Sequence, residues 1–337
     1  MTKKITIKEV AKHAGVGLAT VSRAINGAEG ISPNTKKRVL DSIEVLGYTP
    51  NFVAQSMRSQ KYKSIAFFAD ISNPIFAQIA KESQIELEKY GYTLSLCSIG
   101  DNDIGNKILS FLEGRRFDGI ILSIPKEDDW ELNKSLAKID YPIVTINRDV
   151  PFLPAGVITD SYSSVKDAVS YLLRLGHENI VLIGGDKEIR ISREGMRAYR
   201  DAYYAFNKVP NEELIKHGKL EIESGEKIFK EILPNIYSKK ITAILSLNNQ
   251  MFYGVLRAMR EVKLQYPKDI SLITFSDSEL MQLLDPPLTV IQRPIDDMGR
   301  SIARTLIKYI KEPKLYGELE PVVIPTKFII RDSCKSI

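Results

Sequence analysis

"GVGLATVSRAING", residues 15–27, is a run of small and β-branched residues with a single arginine. It buries little by itself and holds no catalytic group, so its flanks decide how it reads. Before it, "TIKEVAKHAG" (6–15) opens with Thr6 and places Glu9 three residues later, the pattern of a capping box. Ile7, Val10, Ala11 and Ala14 recur at helical spacing as one apolar stripe, which Gly15 can end in the left-handed conformation. After a short turn, "LATVSRAIN" (18–26) makes a second helix whose Val21, Ala24 and Ile25 can face the first. "SPNTKKRVLDSIEVLG" (32–47) supplies a third, with Ser32 at the cap, Pro33 at the first helical position, a stripe of Val39, Ile43 and Leu46, and Gly47 as the stop. Two short helices joined by a tight glycine-containing turn, then a third, is the helix-turn-helix plan.

The charge distribution gives this head a partner. Residues 1–63 hold eleven Lys/Arg against four Asp/Glu, a net +7, whereas the remainder holds thirty-six against thirty-eight, a net −2. A basic head on a near-neutral body points to a polyanion. The second helix is slim at its start, so it can enter a major groove. Leu18 and Ala19 suit a thymine methyl, and Arg23, one helical turn beyond Ala19, suits a guanine edge in bidentate fashion. Thr6, Ser22, Asn26, Ser32 and Thr35 are short polar groups near helix ends, suited to phosphate oxygens.

With 337 residues, the chain is long enough for two or three domains, and 44% hydrophobic and 26% charged content is that of an ordinary globular protein. No run of 18 apolar residues spans a membrane. The first residues lack the apolar stretch of a signal peptide, so a cytoplasmic location is the expectation. Cys97 and Cys334 match neither a disulfide framework nor a metal site, and His13, His177 and His217 are scattered, so they read as surface or packing residues. No metal and no cofactor is expected.

Beyond residue 63, apolar strand-like runs at 64–70, 92–98, 118–123, 141–147, 179–185, 242–248 and 270–276 alternate with amphipathic segments such as 76–90, 162–175 and 249–262. This βαβ rhythm predicts mostly parallel sheets covered by helices on both faces. It restarts after "AGVITDSYSSV", which implies two similar subdomains. Polar residues collect directly after the strand runs: Asp70 and Asn73, Asn147 and Arg148, Asn248 and Asn249, Ser276 and Asp277. Ligands of open α/β sheets bind at the carboxyl ends of the strands, so a cleft between two such edges would gather these groups, with Phe76 able to stack on a sugar or base face.

Residues 6–59 resemble the DNA-binding head of the LacI/GalR family of bacterial regulators, through the Ala-Thr-Val-Ser-Arg run, the Gly-Tyr-x-Pro-Asn segment and the Val-Ala tail. Leu18-Ala19 before Thr20 is similar to the catabolite-control branch. Gly17 stands where the family usually has a serine cap, a usable but weaker choice. The resemblance implies an α/β chain with a small all-α helix-turn-helix head and two doubly wound parallel-sheet subdomains of periplasmic-binding-protein type I. The implied boundaries are a head at 1–49, a hinge helix at 50–63, a first subdomain at 64–160 plus about 292–323, and a second at 161–291 plus about 324–337. It implies DNA contacts from Thr20, Asn51, Ala54 and Met57, and an effector site at Asp70, Phe76, Asn147, Arg193, Asn248 and Ser276. There are departures. Sugar-binding members commonly carry Asn-Asp where Asn248-Asn249 stands and an aspartate at Ser276, and the second-lobe arginine aligns with either Arg193 or Gly195.

Three functions compete on these residues. A dimeric repressor bound to a pseudo-palindromic double-stranded operator, and controlled by a small sugar-like effector, absorbs most of the features; one recognition helix reads few base pairs, so a two-fold homodimer is expected. A phosphorylated carrier protein as effector, or a ligand-independent repressor, is the alternative. An α/β enzyme lacks support: no G-x-G-x-x-G follows the first strand, and no nucleophile–base constellation is visible. A transport-type binding protein does not explain the basic head.

In the family the segment after Pro50 is a hinge helix, and Met57 occupies the place of the usual leucine. Val53 and Met57 lie four apart, hence on one helical face. An apolar wedge in the minor groove partly unstacks a base step, most easily a pyrimidine–purine step, and bends the duplex. Met57→Ala should therefore weaken operator binding far more than random-DNA binding and reduce the bend seen by circular-permutation gel shift, while Met57→Leu keeps both. Unchanged binding and bending in Met57→Ala would leave Met57 as part of a linker only.

Overall fold

The computed structural model describes residues 5–25, 30–48, 62–99, 104–113, 117–154 and 156–337. The chain forms two compact units, Met1–Tyr62 and Lys63–Ile337. Asn26, Asn51, Ala54 and Met57 lie outside the described residues.

The first unit contains α1 (Ile7–Ala14), α2 (Leu18–Ile25) and α3 (Pro33–Leu46). Their ends follow local chemistry. The Thr6 amide donates to Glu9 Oε2 at 2.7 Å, and Ser32 Oγ accepts from the Thr35 amide at 3.2 Å. Gly15 and Gly47 both sit at φ 60°, where a side chain would be strained, and end α1 and α3. The Gly17 carbonyl accepts from the amides of Thr20 and Val21, so glycine starts α2 without a side-chain cap. Val10, Ala11, Ala14, Val21, Ala24 and Val39 form the small core. His13 Nδ1 meets the buried Ser42 hydroxyl at 3.0 Å and ties α1 to α3, a packing role.

In the second unit, β1 (Ser64–Ala69), β2 (Thr93–Ser98), β3 (Gly119–Leu122) and β4 (Ile143–Thr145) form a parallel sheet in the order β2-β1-β3-β4. It is covered by α4 (Pro74–Glu88), α5 (Ile104–Glu113) and α6 (Trp130–Leu136). β5 (Val157–Asp160) continues beside β4 through an Ile146–Val157 bridge. The chain then enters a second sheet through α7 (Ser161–Arg174). There β6 (Ile180–Gly184), α8 (Arg190–Ala205), β7 (Ile215–His217), α9 (Ile222–Tyr237), β8 (Ala243–Ser246), α10 (Asn249–Glu261), β9 (Ser271–Phe275), α11 (Glu279–Leu283) and β10 (Thr289–Gln292) follow in sequence.

The long helix α12 (Ile295–Lys311) returns to the first lobe and packs Ile302 and Leu306 into the core of Ile79 and Leu87. β11 (Val322–Pro325) pairs with β5, and β12 (Lys327–Ile329) closes the second sheet antiparallel to β10. The order there is β12-β10-β9-β8-β6-β7. The chain thus crosses between lobes after β5, after β10 and after β11.

Alternation with period two assigns side chains to the two faces of each sheet. Ile65, Phe67, Ile121 and Val144 face one core of the first lobe, while Ala66, Phe68, Ile120 and Leu122 face the other. In the second lobe Val181, Ile183, Ile244 and Leu272 separate from Ile180, Leu182, Leu245 and Ile273 in the same way. α9 and α10 meet at glycines: a Cβ on Gly254 would lie 2.0 Å from the Ile222 carbonyl, and one on Gly225 would lie 1.9 Å from that of Met251. Five strands escape the runs read from sequence, β5, β7, β10, β11 and β12: unlike the equally short β3, β4 and β8, which lie in longer apolar runs, they are cut off by polar residues or proline such as Asp160, Lys216, Gln292, Pro325 and Lys327.

His177 is fully buried, with Nδ1 2.9 Å from Thr242 Oγ1 and Nε2 3.0 Å from the Lys335 carbonyl. Nε2 donates to the carbonyl and Nδ1 accepts from the hydroxyl, which describes a neutral ring. Burial pushes its pKa below the ordinary value, against the Lys335 carbonyl that raises it. The unfolded chain therefore binds the proton more readily. The stability from neutral His177 is present above about pH 6.5 and is lost as pH falls through that value toward the folded pKa. The urea midpoint should fall between about pH 6.5 and 5, and less steeply in His177→Gln; equal slopes would remove His177 as the cause.

Candidate functional site

On the head, α2 turns Val21 and Ala24 inward and leaves Leu18, Ala19 and Arg23 exposed on the opposite side. Leu18 is 46% exposed, an apolar side chain held in solvent by a rigid helix. Thr20 and Ser22 are half-buried at its flanks, while Thr6 and Ser32 are exposed and Thr35 half-buried at the starts of α1 and α3. Lys36, Lys37 and Arg38 are exposed on α3. A helix bearing small apolar groups and one guanidinium, flanked by hydroxyls and cations, matches the donor and methyl pattern of a major groove.

On the body, the carboxyl edges of the two sheets face a cleft of about 800 Å³, a size that holds a small metabolite. In each sheet the strand order reverses beside the first strand, β1 in one and β6 in the other. Loops leave a sheet in opposite directions at such a point, which opens a crevice. Asp70 and Ser123 follow the strands flanking the first reversal, and Gly185 and Asn248 follow those flanking the second; all four line the cleft.

Of the candidate effector residues, Asp70, Asn73, Phe76, Asn147, Arg148 and Asn248 line the cleft together. Several are also tied into the fold. Asn147 holds φ 51°, and its Oδ1 accepts from the Thr159 amide at 2.7 Å. Asn248 Oδ1 accepts from the Met251 amide at 2.9 Å and caps α10. Asn73 caps α4 and exchanges two hydrogen bonds with Asn249 of the other lobe, at 3.3 and 3.1 Å. The amide that replaces the expected aspartate at 249 thus joins the lobes as donor and acceptor at once.

Arg193 and Ser276 are not among the lining residues. Arg193 instead spans the lobes, reaching Glu127 Oε2 at 2.8 Å and Asp149 Oδ2 at 2.7 Å, and Arg190 adds a pair to Asp149 at 2.9 Å. Ser276 is buried at the end of β9. The cleft also gathers Lys126, Lys187, Lys219 and Arg293, which were not singled out from the sequence, and His217, which was read there as a surface or packing residue. Each lies at a strand end or in the loop that follows it, so the rule that found Asn147 also applies to them. Among the described residues, no cluster of three His, Cys, Asp or Glu could hold a metal.

Glu127 is the pivot of the lobe-to-lobe network. It is 4% exposed, and its Oε1 accepts from the Arg190 amide at 2.9 Å. Ile189 gives α8 no side-chain cap, so a carboxylate from the first lobe satisfies the free amide of a helix in the second. Burial raises the Glu127 pKa, opposed by the Arg190 amide and by Arg148 and Arg193. Glu127→Ala should cost about 1–3 kcal/mol, because it leaves a buried amide unpaired. Arg193→Ala should cost under about 1 kcal/mol, because its guanidinium is 38% exposed and screened. Urea denaturation of both variants checks the ranking; equal losses would contradict the capping role.

Residues 6–51 match the family described as bacterial regulatory proteins, lacI family, and residues 169–334 match a periplasmic binding protein-like domain. The HTH-type transcriptional regulator DegA of Bacillus subtilis (strain 168) is 30% identical over 335 residues, covering 98% of both chains. Catabolite control protein A of Priestia megaterium is 30% identical over 98% of this chain and 99% of its own. Among solved structures, the transcriptional regulator CelR–cellobiose complex is 28% identical with a TM-score of 0.71, covering 98% of this chain and 99% of that one.

Proposed function

The chain belongs to the lacI family of bacterial regulatory proteins and is a DNA-binding transcriptional regulator, not an enzyme, and on that premise we propose that it is a homodimeric repressor of carbohydrate or related catabolic genes, controlled by a small molecule in the inter-lobe cleft. The observation that carries the DNA half is the exposed face of Leu18, Ala19 and Arg23 on a helix anchored by its opposite side. Leu18, Ala19 and Arg23 read base edges. Thr6, Thr20, Ser22, Asn26, Ser32 and Thr35 hold phosphates, and Asn51, Ala54 and Met57 act from the hinge. The head is assigned to 1–49 and the hinge to 50–63. Two heads on a two-fold axis read a pseudo-palindrome in the cytoplasm.

The cleft at the paired strand ends supports the effector half. The solved CelR complex carries cellobiose, and a sugar-like ligand fits a cavity with amides, hydroxyls and Phe76 on its walls. Binding there acts on the loops that join the lobes, so a ligand that prefers one lobe arrangement shifts the population of DNA-competent dimers.

Genomic footprinting with the purified protein supplies the operator. On it, Arg23→Ala should cost about 1–3 kcal/mol and relax preference at one guanine per half-site; an equal loss on random DNA would reduce Arg23 to a phosphate contact. Asn248→Asp keeps the helix cap but changes the group facing the ligand. It should bind operator like the parent and lose the effector response. A normal response in this variant would place the effector elsewhere.

A further inference from the structure

Two arginines in the cleft, one buried and one half-buried, lack an anionic partner. Arg148 is 7% exposed, and its guanidinium donates to the carbonyls of Ile124 and Asn147. Both acceptors are neutral. Arg293 stands where the chain crosses from β10 to α12, with its Cζ 4.6 Å from the Phe275 ring. Its Nε is buried and meets no acceptor. Among the described residues, neither arginine forms an ion pair.

Most acids of the cleft are committed elsewhere, and the remaining one, Glu221, forms no ion pair with either arginine. Glu127 feels Arg148, but its two oxygens serve Arg190 and Arg193. Asp70 turns its Oδ1 to Ser72, Asp129 caps α6, and Asp186 accepts from the Glu188 amide. Burial, and then the charge of Arg148, push Arg293 down to about 10, so it remains protonated at neutral pH. The buried Arg148 and the half-buried Arg293 repel each other, and each needs charge-assisted acceptors to offset its lost hydration. A folded protein retains such an arrangement at a ligand site, where the missing charge arrives with the ligand.

We propose that the cleft takes an anionic polyhydroxylated effector, a sugar carboxylate or a sugar phosphate, whose charged group is held by Arg148 and Arg293. This rests on the reading of the cleft as the effector site. The planar guanidinium fork suits either oxyanion. Asn147, Asn248, Ser123 and His217 line the remainder of the cleft and suit hydroxyls. Because Arg293 lies on a crossing between the lobes, the anion neutralises charge at the joint on which lobe movement turns.

Calorimetric titration of the full-length protein tests this with glucuronate and galacturonate, with glucose 6-phosphate and galactose 6-phosphate, and with the parent glucose and galactose. The carboxylates and phosphates are scored separately to separate the two sources. One charged class should bind at least about tenfold more tightly than its neutral parent, and Arg293→Gln should remove that preference. A second readout needs no ligand. Arg293→Met removes a half-buried charge that has no ionic partner and should raise the melting temperature of the free protein by about 2–4 °C.

A neutral sugar that binds more tightly than its charged relatives, with a Kd untouched by Arg293→Gln, would overturn the anion assignment and leave the cleft as effector site. A melting temperature lowered by Arg293→Met would overturn it from the other direction, by showing that Arg293 serves the fold. No binding by any of the six compounds would count against both the anion and the cleft.

Discussion

Two parallel sheets presenting their carboxyl edges to each other is the constraint from which the rest of the body follows. Three chain crossings hold that arrangement: β5 to α7, β10 to α12, and β11 to β12. Parallel strands need helical crossovers, so both faces of each sheet are covered and the strand ends alone remain free for polar side chains. Apart from Phe76 in the first turn of α4, the cleft residues sit at or beside a strand end or at a crossing. The head obeys a simpler rule. Three helices too short to be stable alone share a core of Val10, Ala11, Ala14, Val21, Ala24 and Val39, and this fixes the outward face of α2.

The long, periodic elements were legible in the sequence. The capping box at Thr6 and Glu9, the stripes of α1 to α3, and the seven apolar runs that become β1 to β4, β6, β8 and β9 all carry patterns that one element can show by itself. The five strands interrupted by polar residues or proline carry none. β7 spans Ile215–His217 and is a strand because β6 lies beside it, a fact stored in the pairing and not in three residues. The helix pair α9 and α10 depends on Gly225 and Gly254 for the same reason: close approach is a property of two segments together.

The cleft shows the same division. Asn147, Arg148 and Asn248 follow recognisable strands, so their shared position could be read in advance. Arg293 follows β10, whose apolar run is cut off by Gln292, and its importance lies in what it lacks. Absence of a partner cannot be seen until neighbours are placed. Arg193 illustrates the converse. Resemblance points it at a ligand, but the carboxylates of Glu127 and Asp149, far away in sequence, lie within reach of its guanidinium.

Among the described residues, side chains join the lobes through contacts of two different physical characters. Asn73 and Asn249 exchange neutral amide hydrogen bonds between the starts of α4 and α10. Arg190 and Arg193 meet Asp149 and Glu127 through charge. Electrolyte screens the partly exposed charged contact and leaves the amide pair alone. The body therefore carries one fastening indifferent to the ionic composition of its surroundings and one that slackens as salt rises.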